Sequence, residues 1–118
     1  DFFYLNNYGN HLRDFTHVDD VKMIIKKLID KKIKTKFQIF NVCSNNPISV
    51  LKLISDVSKI TSTNPKIVKI KRHKADVLKT HGSNIKIKKY LNIKSFRNIF
   101  EELLPIVNWY RDKKFYKY

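Results

Sequence analysis

Apolar residues recur every three to four positions in four stretches of the chain. That spacing puts them on one face of a helix, and it predicts helices over residues 18–31, 50–60, 84–91 and 98–113. In the first helix we expect the buried face to comprise Val18, Val21, Ile24 or Ile25, Leu28 and Ile29. In the last we expect it to comprise Ile99, Leu103, Ile106 and Tyr110. Pro105 falls inside the last helix, where a proline removes a backbone donor, so it should kink or split that helix.

Shorter β-prone runs lie between these stretches, at residues 2–5, 14–17, 37–42 and 66–71. We expect 37–42 to be well buried, whereas 66–71 alternates strictly between apolar and lysine residues, as a strand with one wet face does. A polar turn should surround Gly9, and Ser49 is placed to cap the second helix. Asn92 should end the third helix in the left-handed conformation. The pattern therefore predicts an α/β fold (an α+β-like fragment) of short strands with about four helices and no complete parallel nucleotide-binding sheet.

Composition narrows the class of protein. The chain has 118 residues, 42% of them hydrophobic, which is enough for one modest globular domain. Its apolar runs are all too short to cross a bilayer, so we expect no membrane segment. A single cysteine, Cys43, excludes an intrachain disulfide and fits a reducing cytoplasm. The sequence starts at Asp1 and passes directly into a strand-like run, so we expect a piece of a longer protein.

The formal net charge of +15 admits a nucleic-acid or membrane-surface binder. The positive charge is mostly lysine and is spread over every predicted helix and loop. Lysine, isoleucine and asparagine dominate the composition, which is also the result of A/T-rich codons. The chain shows no RNA-binding signature and no zinc-finger spacing. Nucleic acid is therefore a disfavoured partner.

Arg13 is the strongest candidate for chemistry. It sits just before the 14–17 strand, and its guanidinium offers the planar fork of donors that binds phosphate bidentately. The alternative is an ordinary salt bridge to Asp14 or Asp19. Asp19 and Asp20 fall at the start of the first helix, where the helix dipole favours acidic residues, and we interpret both as structural. The histidines lack helical metal-ligand spacing, so we expect no metal site.

Several segments carry a resemblance to a known family. Residues 7–21 (NYGNHLRDFTHVDDV) resemble the "NxGxxxRDFTYVDDV" segment of the extended short-chain dehydrogenase/reductases. Within that family they are most similar to NAD-dependent nucleotide-sugar epimerases, above all UDP-glucuronate 4-epimerases. Residues 40–50, 73–80, 86–92 and 108–111 are similar to later motifs of the same family. Together they correspond to its C-terminal third, with His17, His73 and Ala75 departing from the usual Tyr, Arg or Gln, and Gly.

The resemblance implies a set of substrate-binding residues and no catalytic ones. Arg13 would contact the substrate diphosphate, and His73, or else Arg72, would be a weaker substitute for a second phosphate-binding arginine. Asp76 would lie near the ribose, unless it is a loop aspartate that binds local backbone amides. Tyr4 and Asn6 would offer backbone groups to uracil, unless they belong to a plain edge strand.

The resemblance also implies a function. Residues 1–118 would be the UDP-sugar-binding segment of an NAD-dependent epimerase or dehydratase, whose N-terminal domain, absent here, holds NAD. Alone, this segment should be inactive, and the full-length enzyme could be a homodimer. The alternative function is a free-standing basic module that binds nucleic acid or another polyanion without catalysis. The sequence leaves open the identity of the sugar, the choice between epimerase and dehydratase, and whether these residues fold by themselves.

Overall fold

The computed structural model describes residues 2–31 and 37–112, and over these ranges the chain is a mixed α/β structure. The strands are β1 (Phe2–Leu5), β2 (Leu12–Asp14), β3 (Pro47–Ser49) and β4 (Lys66–Lys69). The helices are α1 (Val18–Asp30), α2 (Val50–Thr61), α3 (Ile85–Leu91) and α4 (Ile99–Asp112), with a short 3-10 helix at Asn6–Gly9. The predicted fold class, short strands with four helices across the described ranges, is confirmed.

The strands pair in two small sheets within the described residues. β1 and β4 run parallel, with Phe2 opposite Lys66 and Leu5 opposite Lys69. β2 and β3 run antiparallel, with Arg13 opposite Ile48. The turn after β1 is fixed to β4, because Ile70 N–H donates to Leu5 O at 3.0 Å and Tyr8 N–H donates to Ile70 O at 3.2 Å. These bonds hold the segment that leads into Arg13.

Branched apolar side chains of α1 and α3 form the main core. Ile24 and Ile87 are the most deeply buried, and Leu91 and Ile93 complete the cluster. A second contact joins α2 to α4, and α4 buries Leu103 and Val107. Burial of these residues follows the helical period that the sequence predicts, which is why the helices fall where expected.

The predicted buried faces are partly wrong. In α1, Ile24 rather than Ile25 is buried, and Val18 and Ile29 are exposed. Ile106 and Tyr110 of α4 are also exposed, because the buried stripe runs through Leu103 and Val107. A four-residue step and a three-residue step fit the same helical pattern about equally well, so periodicity alone does not choose between them.

The predicted strand at 37–42 is wrong. These residues pair with no strand in the described part of the chain, and Phe37 and Ile39 are exposed rather than buried. Burial nevertheless alternates along these residues, and Phe40 and Val42 pack against the core. The alternating pattern therefore identified an inward face correctly, although the segment is not a strand. The predicted strand at 14–17 is displaced: the ladder covers Leu12–Asp14, and residues 15–17 lie outside it.

The predicted cap residues of α2 and α3 are confirmed, whereas the predicted effect of Pro105 on α4 is not. Asn92 adopts the left-handed conformation after α3, and Ser49 takes the N-cap position of α2, although its side chain makes no capping bond. Pro105 does not split α4, which is continuous over Ile99–Asp112. Residue 113, the predicted end of that helix, and the basic connector at 32–36 lie outside the described residues.

The two acidic residues at the start of α1 are structural, as predicted. Asp20 is buried and accepts a hydrogen bond from Arg97 N–H at 2.9 Å. Asp19 pairs with Lys22 Nζ at 2.9 Å and lies 3.6 Å from the Arg97 guanidinium. His17 caps the helix, because its Nδ1 accepts a hydrogen bond from Asp19 N–H. These contacts secure the base of the helix that follows the candidate site.

Candidate functional site

The backbone brings two distant segments together at β2. Leu12 N–H donates to Leu78 O at 3.0 Å, and Thr80 N–H donates to Leu12 O at 3.1 Å. This bridge lays the irregular loop at residues 70–80 along the edge of β2. The residues of the loop and the strand that contact each other are more than sixty positions apart in sequence, so their side chains meet only in the folded chain.

Arg13 is held by that loop. Its Nη2 donates to Asp76 Oδ1 at 2.9 Å, and its Nη1 donates to Leu12 O at 2.9 Å and to Leu78 O at 3.4 Å. The salt bridge considered as the alternative to phosphate binding does form, but its partner is Asp76 and not Asp14 or Asp19. A guanidinium has five N–H donors, so two remain without a partner among the described residues. The side chain keeps about a quarter of its surface exposed, which leaves those donors within reach of a ligand.

Asp76 lies at the centre of a small charged cluster. Its Oδ1 accepts from Arg13, its Oδ2 lies 3.3 Å from His11 Nε2, and its backbone carbonyl accepts from Arg72 Nη1 at 2.8 Å. The alternative interpretation of Asp76 as a carboxylate binding local amides is therefore wrong. Sequence reasoning missed His11, although a signal existed: His11 and Arg13 are two apart in an extended run, so their side chains share a face.

The remaining predicted site residues lie outside this cluster. Tyr4 is exposed on β1 opposite Val68, and Asn6 is exposed at the start of the 3-10 helix. Within the described residues, no hydrogen bond joins either side chain to Arg13 or Asp76. His73 is exposed in the loop, where its Nδ1 accepts from Ala75 N–H at 3.3 Å. His73 therefore shapes the backbone next to Asp76, and the cationic contact there comes from Arg72.

Asp14, next to Arg13, holds two loops in place. Its carboxylate accepts from Ser44 Oγ at 2.5 Å, from the backbone N–H groups of Asn45 and Asn46, and from Gly82 N–H at 3.4 Å. Burial alone would raise its pKa, but these hydrogen bonds outweigh burial and hold the pKa of Asp14 below its ordinary value. The ionised carboxylate thus fixes the strand that carries Arg13 against both loops.

One surface cavity of the described residues lies away from this cluster. A cavity of about 460 Å³ lies between the end of α2 and β4, lined by Ile54, Ser58, Ser62 and Pro65 among others, and it shares no residue with the cluster. Its lining carries one charged residue, Lys59, so it offers little to position a charged ligand. Within residues 2–31 and 37–112, no three His, Cys, Asp or Glu side chains are grouped to hold a metal ion.

The two glycines of the chain do not form a dinucleotide-binding turn. Gly9 has a positive φ of 84° and packs against Leu5 and Leu51, in a turn followed by a strand. Gly82 packs against Cys43. A dinucleotide turn needs glycines clustered at the start of a helix, where backbone N–H groups meet the pyrophosphate. The described residues therefore do not fit NAD by themselves.

No protein-family profile matches the sequence. Among curated proteins, an uncharacterized protein of Methanocaldococcus jannaschii is 32% identical over 108 residues, which is 92% of this chain and 32% of that protein. An uncharacterized 37.6 kDa protein of Escherichia coli O111:H- is 24% identical, over 94% of this chain and 37% of that protein. The chain thus spans about a third of the length of the curated relatives it matches.

Solved structures show the same fold. The UDP-glucose 4-epimerase of Thermotoga maritima, solved with UDP-glucose, superposes with a TM-score of 0.82 at 23% identity, over 95% of this chain and 35% of that one. The UDP-glucuronic acid 4-epimerase of Bacillus cereus, solved with UDP-glucuronic acid and NAD, gives 0.82 at 18% identity, over 94% and 35%. The described residues therefore have the α/β fold of the C-terminal part of a Rossmann-type epimerase.

Proposed function

We propose that this chain is the nucleotide-sugar-binding segment of an NAD-dependent sugar epimerase, and that Arg13 binds the diphosphate of the substrate. The observation that carries the proposal is the placement of Arg13. Residues of the loop that lie more than sixty positions away hold its guanidinium at the edge of β2, and two of its five N–H donors have no partner among the described residues. The fold supports it, because structures of this fold have been solved with UDP-sugars. Within that class, the sequence resemblance favours UDP-glucuronate as the substrate.

The role of this segment is to anchor the part of the substrate that does not react. A diphosphate carries the fixed negative charge that Arg13 can share, and the ribose hydroxyls would be hydrogen-bond donors to Asp76. Binding energy gathered at such a remote group can position the reacting carbon of the sugar. The proposal assigns no catalytic residue to this segment, and Tyr4, Asn6 and His73 stay candidate contacts to the nucleotide.

The chemistry of the reaction belongs to another part of the enzyme. NAD, when bound, would accept and return a hydride, and we assign its binding to an N-terminal domain outside these 118 residues. The proposal also includes a homodimeric enzyme in the cytoplasm, with which the single cysteine is compatible. Among the described residues, no helix is long and apolar enough to span a membrane. A polyanion-binding module is not favoured, because the site is local whereas the lysine charge is diffuse.

Substitution of Arg13 tests the proposal. Arg13→Ala should weaken UDP binding roughly ten- to a hundred-fold, because a charge-assisted hydrogen bond to phosphate is worth about 1.5–3 kcal/mol. Arg13→Lys should recover part of that loss, since an ammonium keeps the charge and loses the fork. The measurement is UDP affinity by calorimetry together with the thermal midpoint of each variant.

Arg111→Ala is the matched control. Arg111 is exposed on α4 and makes one long contact, to Ile60 O at 3.4 Å, so its removal deletes the same charge far from β2. We expect Arg111→Ala to change UDP affinity by less than about twofold. Equal losses in Arg13→Ala and Arg111→Ala would show that binding follows net charge, and would contradict the proposal.

A further inference from the structure

His11 is a buried histidine whose ring nitrogen has no aligned partner. Only 4% of the residue is exposed, and no hydrogen bond reaches Nε2 from the described residues. The nitrogen nevertheless lies 3.3 Å from Asp76 Oδ2, off the line that a hydrogen bond requires. Buried polar atoms without partners are uncommon in folded proteins, and each one calls for an explanation.

Asp76 has two cationic or potentially cationic neighbours, one on each oxygen. Its Oδ1 is aligned with Arg13 Nη2 at 2.9 Å, and its Oδ2 faces His11 at 3.3 Å. The carboxylate is therefore placed to strengthen its contact with His11 whenever Arg13 shares its charge with another anion. A shift of a few tenths of an ångström would bring the His11 contact to ordinary hydrogen-bond length.

Three segments lie next to His11: the loop at residues 70–80, the start of α2 and the 3-10 helix. The loop contributes Arg72, which binds the Asp76 backbone carbonyl, together with His73 and Lys74. α2 begins with uncharged residues, of which Val50 donates its N–H to His11 O, and its first lysine is paired with Asp56. The 3-10 helix carries no charged side chain. Asp76 is thus the acidic group in contact with the imidazole among the described residues.

We infer that His11 takes up a proton when an anion binds at Arg13, so that nucleotide-sugar affinity at this site depends on pH. The inference rests on the proposed function, because it takes the diphosphate as the anion. A phosphate beside Arg13 places a second negative charge near Asp76 and draws on the same guanidinium. A proton on His11 Nε2 offsets this added negative charge, and a small shift of the ring from its 3.3 Å separation would give Asp76 Oδ2 an aligned donor. His11 is then a positioning residue, acting on the ligand through Asp76 and Arg13.

The sign of the pH dependence follows from linkage. If the complex holds more protons than the free protein, affinity rises as pH falls through the range in which His11 gains its proton. Affinity should therefore be higher in mildly acidic than in mildly alkaline solution. One full proton taken up would change the affinity by at most about tenfold per pH unit.

Calorimetry with UDP-glucose tests this inference on the 118-residue chain. Each phosphorus of UDP-glucose carries one ester and one anhydride linkage and therefore a single, strongly acidic oxygen, so the ligand keeps a constant charge over this range. Binding heats near neutral pH, compared between two buffers of different ionisation enthalpy, count the protons taken up. We expect a measurable fraction of one proton per ligand, and an affinity that falls several-fold between about pH 6 and about pH 8.

Two variants should abolish the proton uptake, and one should keep it. His11→Gln removes the titrating group, and Asp76→Asn, at a partly exposed position that tolerates substitution better, removes the charge that favours the imidazolium. His81→Gln is the matched control, because the exposed His81 contacts Asn45 and lies outside the cluster. Uptake that persists in both His11→Gln and Asp76→Asn would overturn the inference.

The outcomes separate this inference from the proposed function. UDP-glucose binding without proton uptake in the wild type would overturn the role of His11 and leave the proposed function standing. Absence of UDP-glucose binding at every pH would overturn the proposed function, and this inference with it. Proton uptake that is lost in both cluster variants and retained in His81→Gln would support both.

Discussion

Single side chains near β2 differ in how far the sequence could predict their roles. Asp19 and Asp20 were identifiable as structural, because a helix start is a local feature and the dipole preference is local too. Arg13 was identified as a candidate by its type and position, and Asp76 by the family resemblance, but the salt bridge between them was not predicted. Salt-bridge partners more than sixty residues apart are set by the tertiary fold, and local sequence spacing carries no information about them.

Asp14 provides a prediction at this scale. Asp14→Asn should lower the free energy of unfolding by about 1–2 kcal/mol at neutral pH, because it removes the charge from hydrogen bonds that join the loops at 44–46 and 82. Asp30→Asn, the same change at an exposed position, should alter it by less than about 0.5 kcal/mol. Chemical denaturation of the three proteins measures the difference.

The same carboxylate predicts a pH dependence. Because the pKa of Asp14 is lowered by folding, its stabilisation is full above the ordinary value of 3.8 and is lost as pH falls through the folded value. The gap between wild type and Asp14→Asn should therefore close in acid. A gap that stays constant to well below pH 3.8 would contradict the assignment.

At the scale of elements, helices were predicted better than strands. The helical period is a local property of each helix, and the helix ends that lie in the described residues differ from the predicted ones by no more than one residue. A strand depends on a partner elsewhere in the chain, and residues 37–42 show the consequence. The alternation of inward and outward side chains in these residues could be recognised in the sequence, but no strand of the described residues pairs with them. β2 likewise differs from the predicted strand at 14–17, because its pairing covers Leu12–Asp14.

The turn between β1 and β2 provides a prediction for an element. Gly9→Ala should lower the free energy of unfolding by about 2–4 kcal/mol. Gly9 has a φ of 84°, and an added Cβ would lie 2.5 Å from Leu51 Cγ and 2.8 Å from Leu5 Cδ2. The change combines backbone strain with a steric clash in a buried position.

A double substitution separates these two causes. Leu51→Ala opens space beside residue 9, so Gly9→Ala with Leu51→Ala should cost less than the sum of the single changes. Strict additivity of the three unfolding free energies would show that the clash with Leu51 is unimportant. A Gly9→Ala protein as stable as wild type would contradict the described turn.

For the whole molecule, the fold and the diffuse charge point to different partners. The α/β arrangement superposes on about a third of the length of epimerases that were solved with UDP-sugars. It places one arginine where a loop and β2 meet. The net charge of +15 is a property of the entire surface, and it would attract any polyanion weakly and in a salt-dependent way. Only the first feature predicts a site with a defined location and a defined stoichiometry.

The most direct test of this account is an NMR titration of the chain with UDP-glucose. The account predicts saturable shifts at one site, at the Arg13 side chain and at the backbone amides of residues 11–14 and 72–80, which persist when salt is raised. Shifts confined to the cavity between α2 and β4 would contradict the account. Shifts spread over the surface lysines and removed by salt would contradict it as well, and would favour a polyanion binder.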